Sequence, residues 1–331
     1  MRCAALGLRL QERGGDIHFL CSALPAGLVD WLAARGMQVH MLPATSLQDA
    51  AADLVASSMI ARQFGRCDLL VVDHYGLAKD WESGMRVHTR RLMVIDDLAD
   101  RDHDCDVLLD QNLHRDAEHR YAGRIAASAQ AFVGPRFALL RQDFDDESLL
   151  RQRDGHLKQL LVFFGGTDPG NQCLKIIDAL RLLGDRAPQT TIVLGPAHAS
   201  REAVHACAAG MAFLKVLDAT DNMAVLMSQA DLAIGTCGIA AWERCVIGLP
   251  SLVVVTAENQ REDAEILHEL GAVEYLGDAE DVGAARWASA LAALLDSPSR
   301  LQAMGHASLA VVAGRAGAFA ELLGALSVGH V

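Results

Sequence analysis

Short apolar runs alternate along this chain with stretches whose apolar residues recur at helical spacing. The opening stretch from Met1 to the glycine stop at Gly14 and Gly15 reads as a helix with no N-cap residue before it. Strands are predicted at 17–21, 38–42, 68–73, 91–96, 107–109 and 131–133, with helices at 28–35 and 47–64 between them. These strands are apolar on both faces, as in a parallel sheet covered by helices on either side. Between Gly134 and His156 the rhythm lapses into a proline and a run of charges, so 135–156 is expected to be a linker. Strands resume at 157–164, 189–194, 212–216, 231–234 and 251–255 with helices between them, and the last stretch from about 282 to 328 reads as helical, with a break at Pro298. The expectation is an α/β chain of two doubly wound domains, 1–134 and 157–331. In such a fold ligands bind in the cleft at the carboxyl ends of the strands.

Composition narrows the partners. With 51% hydrophobic and 21% charged residues the chain is globular, and a formal charge of -13 argues against nucleic acid or an anionic membrane. The eight cysteines include no C-x-x-C pair and mostly sit in apolar stretches, as reduced core thiols do. No secretory leader is recognised and no apolar run is judged long enough to span a bilayer, so a cytoplasmic protein is expected, and a monomer because neither half shows a surplus apolar helix.

Most polar motifs fall at strand ends. Phe164-Gly165-Gly166-Thr167-Asp168-Pro169 closes one strand and opens a helix. Gly165 and Gly166 allow close backbone approach to a ligand, and the helix start beside Asp168 offers N–H groups to an anion; a plain turn capped by Asp168 fits equally well. Gly235-Thr236-Cys237-Gly238 repeats the arrangement, with Glu243 further along the helix, and the next strand ends in Glu258-Asn259-Gln260. Together these offer a diphosphate platform at Gly238, a diol acceptor in Glu243 and sugar-reading amides in Asn259 and Gln260. Singly, Glu243 and Glu258 also serve as helix-dipole partners. In the first half, Asp73 and Asp96 close two strands, where Asx turns account for them. Tyr75, one of only three tyrosines, offers a hydroxyl after a buried strand.

The stretch Asp102-His103-Asp104-Cys105-Asp106 and the run Asp110 to His114 carry ligand-type side chains without any metal-binding spacing, so no metal is expected. Neither a G-x-S-x-G elbow nor a P-loop is present, which argues against the usual serine hydrolases and NTPases.

The order of Val71-Val72-Asp73-His74-Tyr75-Gly76, Ile95-Asp96-Asp97-Leu98-Ala99-Asp100-Arg101, Leu109-Asp110-Gln111-Asn112, the Phe164 motif, Trp242-Glu243 and Ala257-Glu258-Asn259-Gln260 resembles a family. It is the UDP-2,4-diacetamido-2,4,6-trideoxy-β-L-altropyranose hydrolases of pseudaminic acid biosynthesis, a route tied to flagellin glycosylation. The resemblance spans nearly the whole chain. It implies two Rossmann-like domains of the glycosyltransferase-B type, similar to the MurG transferase, and release of UDP from a UDP-sugar with inversion and without cofactor. It implies Tyr75 as a catalytic residue and Gly165, Gly166, Asp168, Gly238, Glu243, Asn259 and Gln260 as substrate-binding ones.

In that family a Gly-His loop before a helix start like Met1-Arg2-Cys3 supplies the general base, so the histidine and its strand are expected upstream of Met1, with the first strand missing here. His18 and His74 are the nearest substitutes by sequence. Cys237, Ile239 and Ala240 depart from the family's Gly-Gly-hydroxyl turn, at a cost on the order of 1 kcal/mol for one lost hydrogen bond. Alternatives are a UDP-sugar glycosyltransferase of the same fold, or a catalytically silent UDP-sugar binding protein. An unfilled sheet position also predicts low stability.

Overall fold

The computed structural model describes residues 1–44, 49–168 and 170–327. Two compact units emerge, each built from more than one segment. The first takes residues 1–112, 116–140 and the stretch from Gly314; the second takes 113–115 and 141–313.

In the first unit, α1 (Arg2–Gln11), β1 (His18–Cys21), α2 (Ala26–Ala33) and β2 (Gln38–Met41) precede α3 (Ala50–Phe64) and β3 (Cys67–Asp73). Then follow α4 (Lys79–Met85), β4 (Thr89–Ile95), β5 (Val107–Asp110) and β6 (Gln130–Val133). All pairings are parallel. β1 pairs with β2, and β3, β4, β5 and β6 form a second sheet in chain order, so the unit's strands lie in two sheets. Period-two alternation sorts β4 between two cores. Met93 and Ile95 join Val107, Leu109, Phe132 and Leu6 on one face, while Leu92 and Val94 join Leu108, Trp81 and Met85 on the other. Each such fully buried leucine contributes ~2 kcal/mol. The helix read as starting at Leu47 begins at Ala50, because Asp49 accepts hydrogen bonds from the Ala51 and Ala52 N–H groups; Leu47 itself lies outside the described residues.

The second unit runs β7 (Gln159–Phe163), α5 (Gln172–Leu183), β8 (Gln189–Val193), α6 (Arg201–Ala208), β9 (Leu214–Leu217) and α7 (Met223–Gln229). It continues with β10 (Leu232–Thr236), α8 (Ile239–Ile247), β11 (Ser251–Val255), α9 (Arg261–Glu269), β12 (Val273–Asp278), α10 (Ala284–Leu295) and α11 (Pro298–Val311). The sheet order is β12-β11-β10-β7-β8-β9, parallel throughout. Chain order grows outward from β7 in both directions, so the winding reverses between β7 and β10. That switch point leaves a crevice at the strands' carboxyl ends.

Four expectations are corrected. Residues 135–156 are no free linker: Phe137, Leu139 and Leu140 are buried in the first unit. In the second, Phe144 is buried and the Arg153 guanidinium donates to the carbonyls of Met227, Ala230, Ile247 and Gly248. Nor does the chain's end belong wholly to the second domain, since α12 (Arg315–Leu326) packs Ala318, Leu322 and Leu326 into the first unit's core. β12 was not anticipated; its alternation of Val273, Glu274, Tyr275 and Leu276 belongs to an edge strand. Finally, the run Pro298–Leu326 is long and apolar enough to cross a membrane by composition. It is folded as α11 and α12, broken at Gly314 with φ +77°, each burying one face in a different unit's core.

Candidate functional site

The turns singled out by sequence meet at the second unit's switch point. β7 and β10 lie side by side with Phe163 opposite Gly235, so the turns beginning at Phe164 and Cys237 leave adjacent strands. Gly235 is obligatory here: a Cβ would come 2.5 Å from the Phe163 carbonyl oxygen. Gly165 takes φ +82°, favourable only to glycine, and the β8 end folds over its turn so tightly that a Cβ on Gly195 would lie 2.2 Å from the Gly165 oxygen. Gly195 was missed by sequence reasoning; its position directly after a buried strand was the available signal.

Asp168 serves the fold. Its buried carboxylate accepts the Gln172 N–H at 2.9 Å and the Cys173 N–H at 2.9 Å, capping the first turn of α5 from a left-handed backbone at φ 47°. The His198 Nε2 lies 3.3 Å from the same carboxylate, while its Nδ1 accepts the Ser200 N–H. Both carboxylate oxygens are thus taken up by the α5 cap and the His198 ring. Asp168, Cys173 and His198 also form a group of metal-ligating atoms among the described residues. Their arrangement is that of a helix cap: the ring nitrogen facing Asp168 is placed to donate a proton to it, and burial pushes the Cys173 thiol well up, away from the thiolate a metal requires.

Across the switch point α8 begins at Gly238, an N-cap with no side chain to accept from the first turn's N–H groups. Glu243 lies farther along α8, its side chain 12% exposed and 3.8 Å from the Arg141 guanidinium. Burial raises its carboxyl to about 7 against the pull of Arg141 and Arg244. Arg141 was not foreseen; it hid within the charge run read as linker. At the end of β11 the Gln260 Oε1 accepts from Thr256 N–H and Oγ1, which leaves the amide Nε2 4.0 Å from where a Gly238 Cβ would stand. Asn259 is exposed beside it, and Glu258 pairs outward with Arg261. Thus Gly165, Gly166, Gly238, Glu243, Asn259 and Gln260 gather around the ends of β7, β10 and β11 within one unit.

In the first unit Tyr75 follows β3, 55% exposed, its hydroxyl donating to Asp97 at 3.2 Å. Burial raises the Asp97 carboxyl, and the same burial with the Asp97 charge raises the Tyr75 hydroxyl. Asp73 instead receives a two-point hydrogen bond from Arg2 at 3.0 and 2.6 Å at the start of α1. Asp96 accepts the Ala99 N–H at 2.8 Å, as an Asx turn does, and pairs with Arg101 at 2.9 Å. The ligand-type residues of 102–114 scatter: His103 is buried against Glu82 at 2.7 Å, Asp104 and Asp106 pair with Arg86, and His114 pairs with Glu262 in the second unit. His18 stacks with His40 and lies tilted against Phe64, and His74 closes its own turn on the Gly76 N–H.

Residues 160–320 match the glycosyltransferase family 28 C-terminal domain. The chain is 30% identical over 156 residues to the spore coat polysaccharide biosynthesis protein SpsG of Bacillus subtilis, covering 46% of this chain and 45% of that protein. It is 26% identical over 186 residues to the UDP-2,4-diacetamido-2,4,6-trideoxy-beta-L-altropyranose hydrolase of Campylobacter jejuni, covering 56% of this chain and 60% of that one. The chain spans about half the length of the curated relatives it matches. Among solved structures, Acinetobacter baumannii MurG superposes with a TM-score of 0.61 at 16% identity, over 93% of this chain and 90% of that one. The chain has the two-domain α/β fold of the glycosyltransferase-B type, and residues 160–320 match the family 28 C-terminal domain.

Proposed function

We propose that this chain is a UDP-sugar hydrolase that releases UDP from UDP-2,4-diacetamido-2,4,6-trideoxy-β-L-altropyranose. The observation that carries the reading is the pairing, in one helix, of the uncapped α8 start at Gly238 with the half-buried Glu243 carboxylate, beside the Gln260 amide. The diphosphate lies over the α8 N–H groups, the two hydroxyls of the ribose donate to Glu243, and Asn259 and Gln260 read the remaining polar edges. Gly165 and Gly166 let the ligand approach the β7 turn. For the first unit the proposal is that Tyr75 presents its hydroxyl to substrate.

Chemically, water adds to the anomeric carbon on the face opposite the leaving group and gives up its proton to solvent, while the electron pair of the C–O bond departs on UDP, which inverts the centre. The N–H dipoles at α8 stabilise the charge that grows on the leaving diphosphate. The resemblance to the Campylobacter hydrolase supports this choice of substrate. The second reading is transfer of the sugar to an acceptor alcohol, favoured by the family 28 match and by a relative from Chromobacterium violaceum that is a UDP-N-acetylglucosamine transferase, 32% identical over 202 residues.

The test is UDP release from the diacetamido-trideoxy nucleotide, followed with and without an acceptor alcohol. Release in water alone supports hydrolysis. Release that needs the acceptor establishes the transferase, and UDP binding without turnover in either mixture leaves a binding protein.

A further inference from the structure

Among the described residues, a buried guanidinium with no carboxylate at ion-pair distance lies beneath the α8 turn, and the adjoining Glu243 acts on it only at longer range. Arg244 is 3% exposed, yet among the described residues no carboxylate lies within 4.0 Å of its guanidinium. Its one hydrogen bond runs from Nη2 to the Thr236 carbonyl at 2.7 Å, and its buried Nε has no partner. The neighbouring thiols of Cys237 and Cys245 are both pushed up to about 12 by burial, so neither provides an anion. Leaving a guanidinium in such a place is expensive unless something outside the protein compensates it.

The geometry says where that compensation comes from. Helical side chains lean toward the N-terminus of their helix, and Arg244 reaches back under the first turn of α8 to the peptide that opens it. A Cβ on Gly235 would stand 3.0 Å from the Arg244 Nη1, so the guanidinium fills the space that glycine leaves. In a planar trans peptide, drawing the Thr236 carbonyl toward Arg244 sends the Cys237 N–H the opposite way. The positive charge and the uncapped N–H groups of the α8 start therefore share one small region.

We propose that Arg244 is the fixed counter-charge of a phosphate subsite at the α8 turn, a positioning residue that sets the Thr236 peptide and favours a diphosphate over an uncharged ligand. It does not touch the ligand; it acts through the turn. This rests on the nucleotide reading above, and the probes are chosen to separate the two.

Calorimetric titration of wild type, Arg244→Met and Arg244→Lys with UDP, uridine and inorganic pyrophosphate provides the test. Methionine should weaken UDP and pyrophosphate about tenfold or more while uridine changes less than about twofold, and lysine should fall between, as expected for loss of a nearby charge. An unchanged ratio of UDP to uridine affinity in folded Arg244→Met overturns the inference and spares the nucleotide reading. Pyrophosphate binding that depends on Arg244, with no gain from the uridine moiety, upholds the inference and overturns that reading. Binding of none of the three overturns both. Should the methionine variant not fold by circular dichroism, the lysine variant decides: UDP weakened severalfold with uridine nearly unchanged supports the inference, and an unchanged UDP affinity or loss of UDP and uridine in parallel refutes it.

Discussion

Replacing Asp168 separates a folding role from a binding role. In Asp168→Ala the N–H groups of Gln172 and Cys173 and the facing ring of His198 all lose their acceptor in a buried place. Truncating an N-cap costs ~0.5–2 kcal/mol and hydrogen bonds to a charged group are worth ~1.5–3 kcal/mol each, with incomplete additivity, so the lost carboxylate is worth about 3 kcal/mol. Position 168 also sits at φ 47°, where alanine adds roughly 1 kcal/mol that glycine avoids. The predicted order of destabilisation is Ala at about 4, Gly at about 3 and Asn at about 1–2 kcal/mol, since asparagine tolerates the backbone and keeps one acceptor. Amide hydrogen exchange along α5 during a urea titration reads the second unit directly. UDP affinity, measured below the unfolding range, should stay near wild type in the asparagine variant. A cost below about 1 kcal/mol for alanine, or loss of UDP binding with α5 protection intact, would refute the capping account.

Three further outcomes are expected. His103 pairs with Glu82 and lies 3.9 Å from Asp96; burial opposes its charge, but these acids raise it to about 9. A raised pKa stabilises fully below the unfolded value near 6.5 and is lost as pH climbs through 9, so the first unit should weaken over that window by up to ~3 kcal/mol and His103→Gln should flatten the profile. Arg153→Met strips four carbonyls of a buried donor, at ~2–4 kcal/mol, and should make 146–152 the first cleavage site in limited proteolysis. Because the Glu243 carboxyl titrates near 7 and only its ionised form accepts from both ribose hydroxyls, uridine affinity should rise about tenfold from pH 6 to pH 8, an effect absent in Glu243→Gln.

The repeating strand-helix frame was legible because buried parallel strands such as 107–109 and 251–255 must be apolar on both faces. What misled was charge. Arg151 and Arg153 look solvated in a run of acids and bases, yet both donate to carbonyls of the second unit, since a guanidinium satisfies helix ends as well as it meets water. β12 went unseen because an edge strand needs fewer apolar positions than a central one. The grouping of Gly165, Gly238, Glu243 and Gln260 followed from their common place after strands. The inward turn of Asp168 did not, for it depends on one left-handed residue, and the bare guanidinium of Arg244 looks in sequence like any helix arginine. Which core would receive α12 was also unreadable, because an apolar stripe names no partner.

That last helix has a consequence for synthesis. Residues 1–140 leave the ribosome well before α12 does, so the core holding Leu6, Met93 and Phe132 lacks Ala318, Leu322 and Leu326 until residue 326 has been made. The second unit, by contrast, is complete once residue 313 has emerged. Although domains commonly fold from the N-terminus as they appear, here the later-made half is the first able to reach its native state. The earlier half must wait, partly built, for its closing piece.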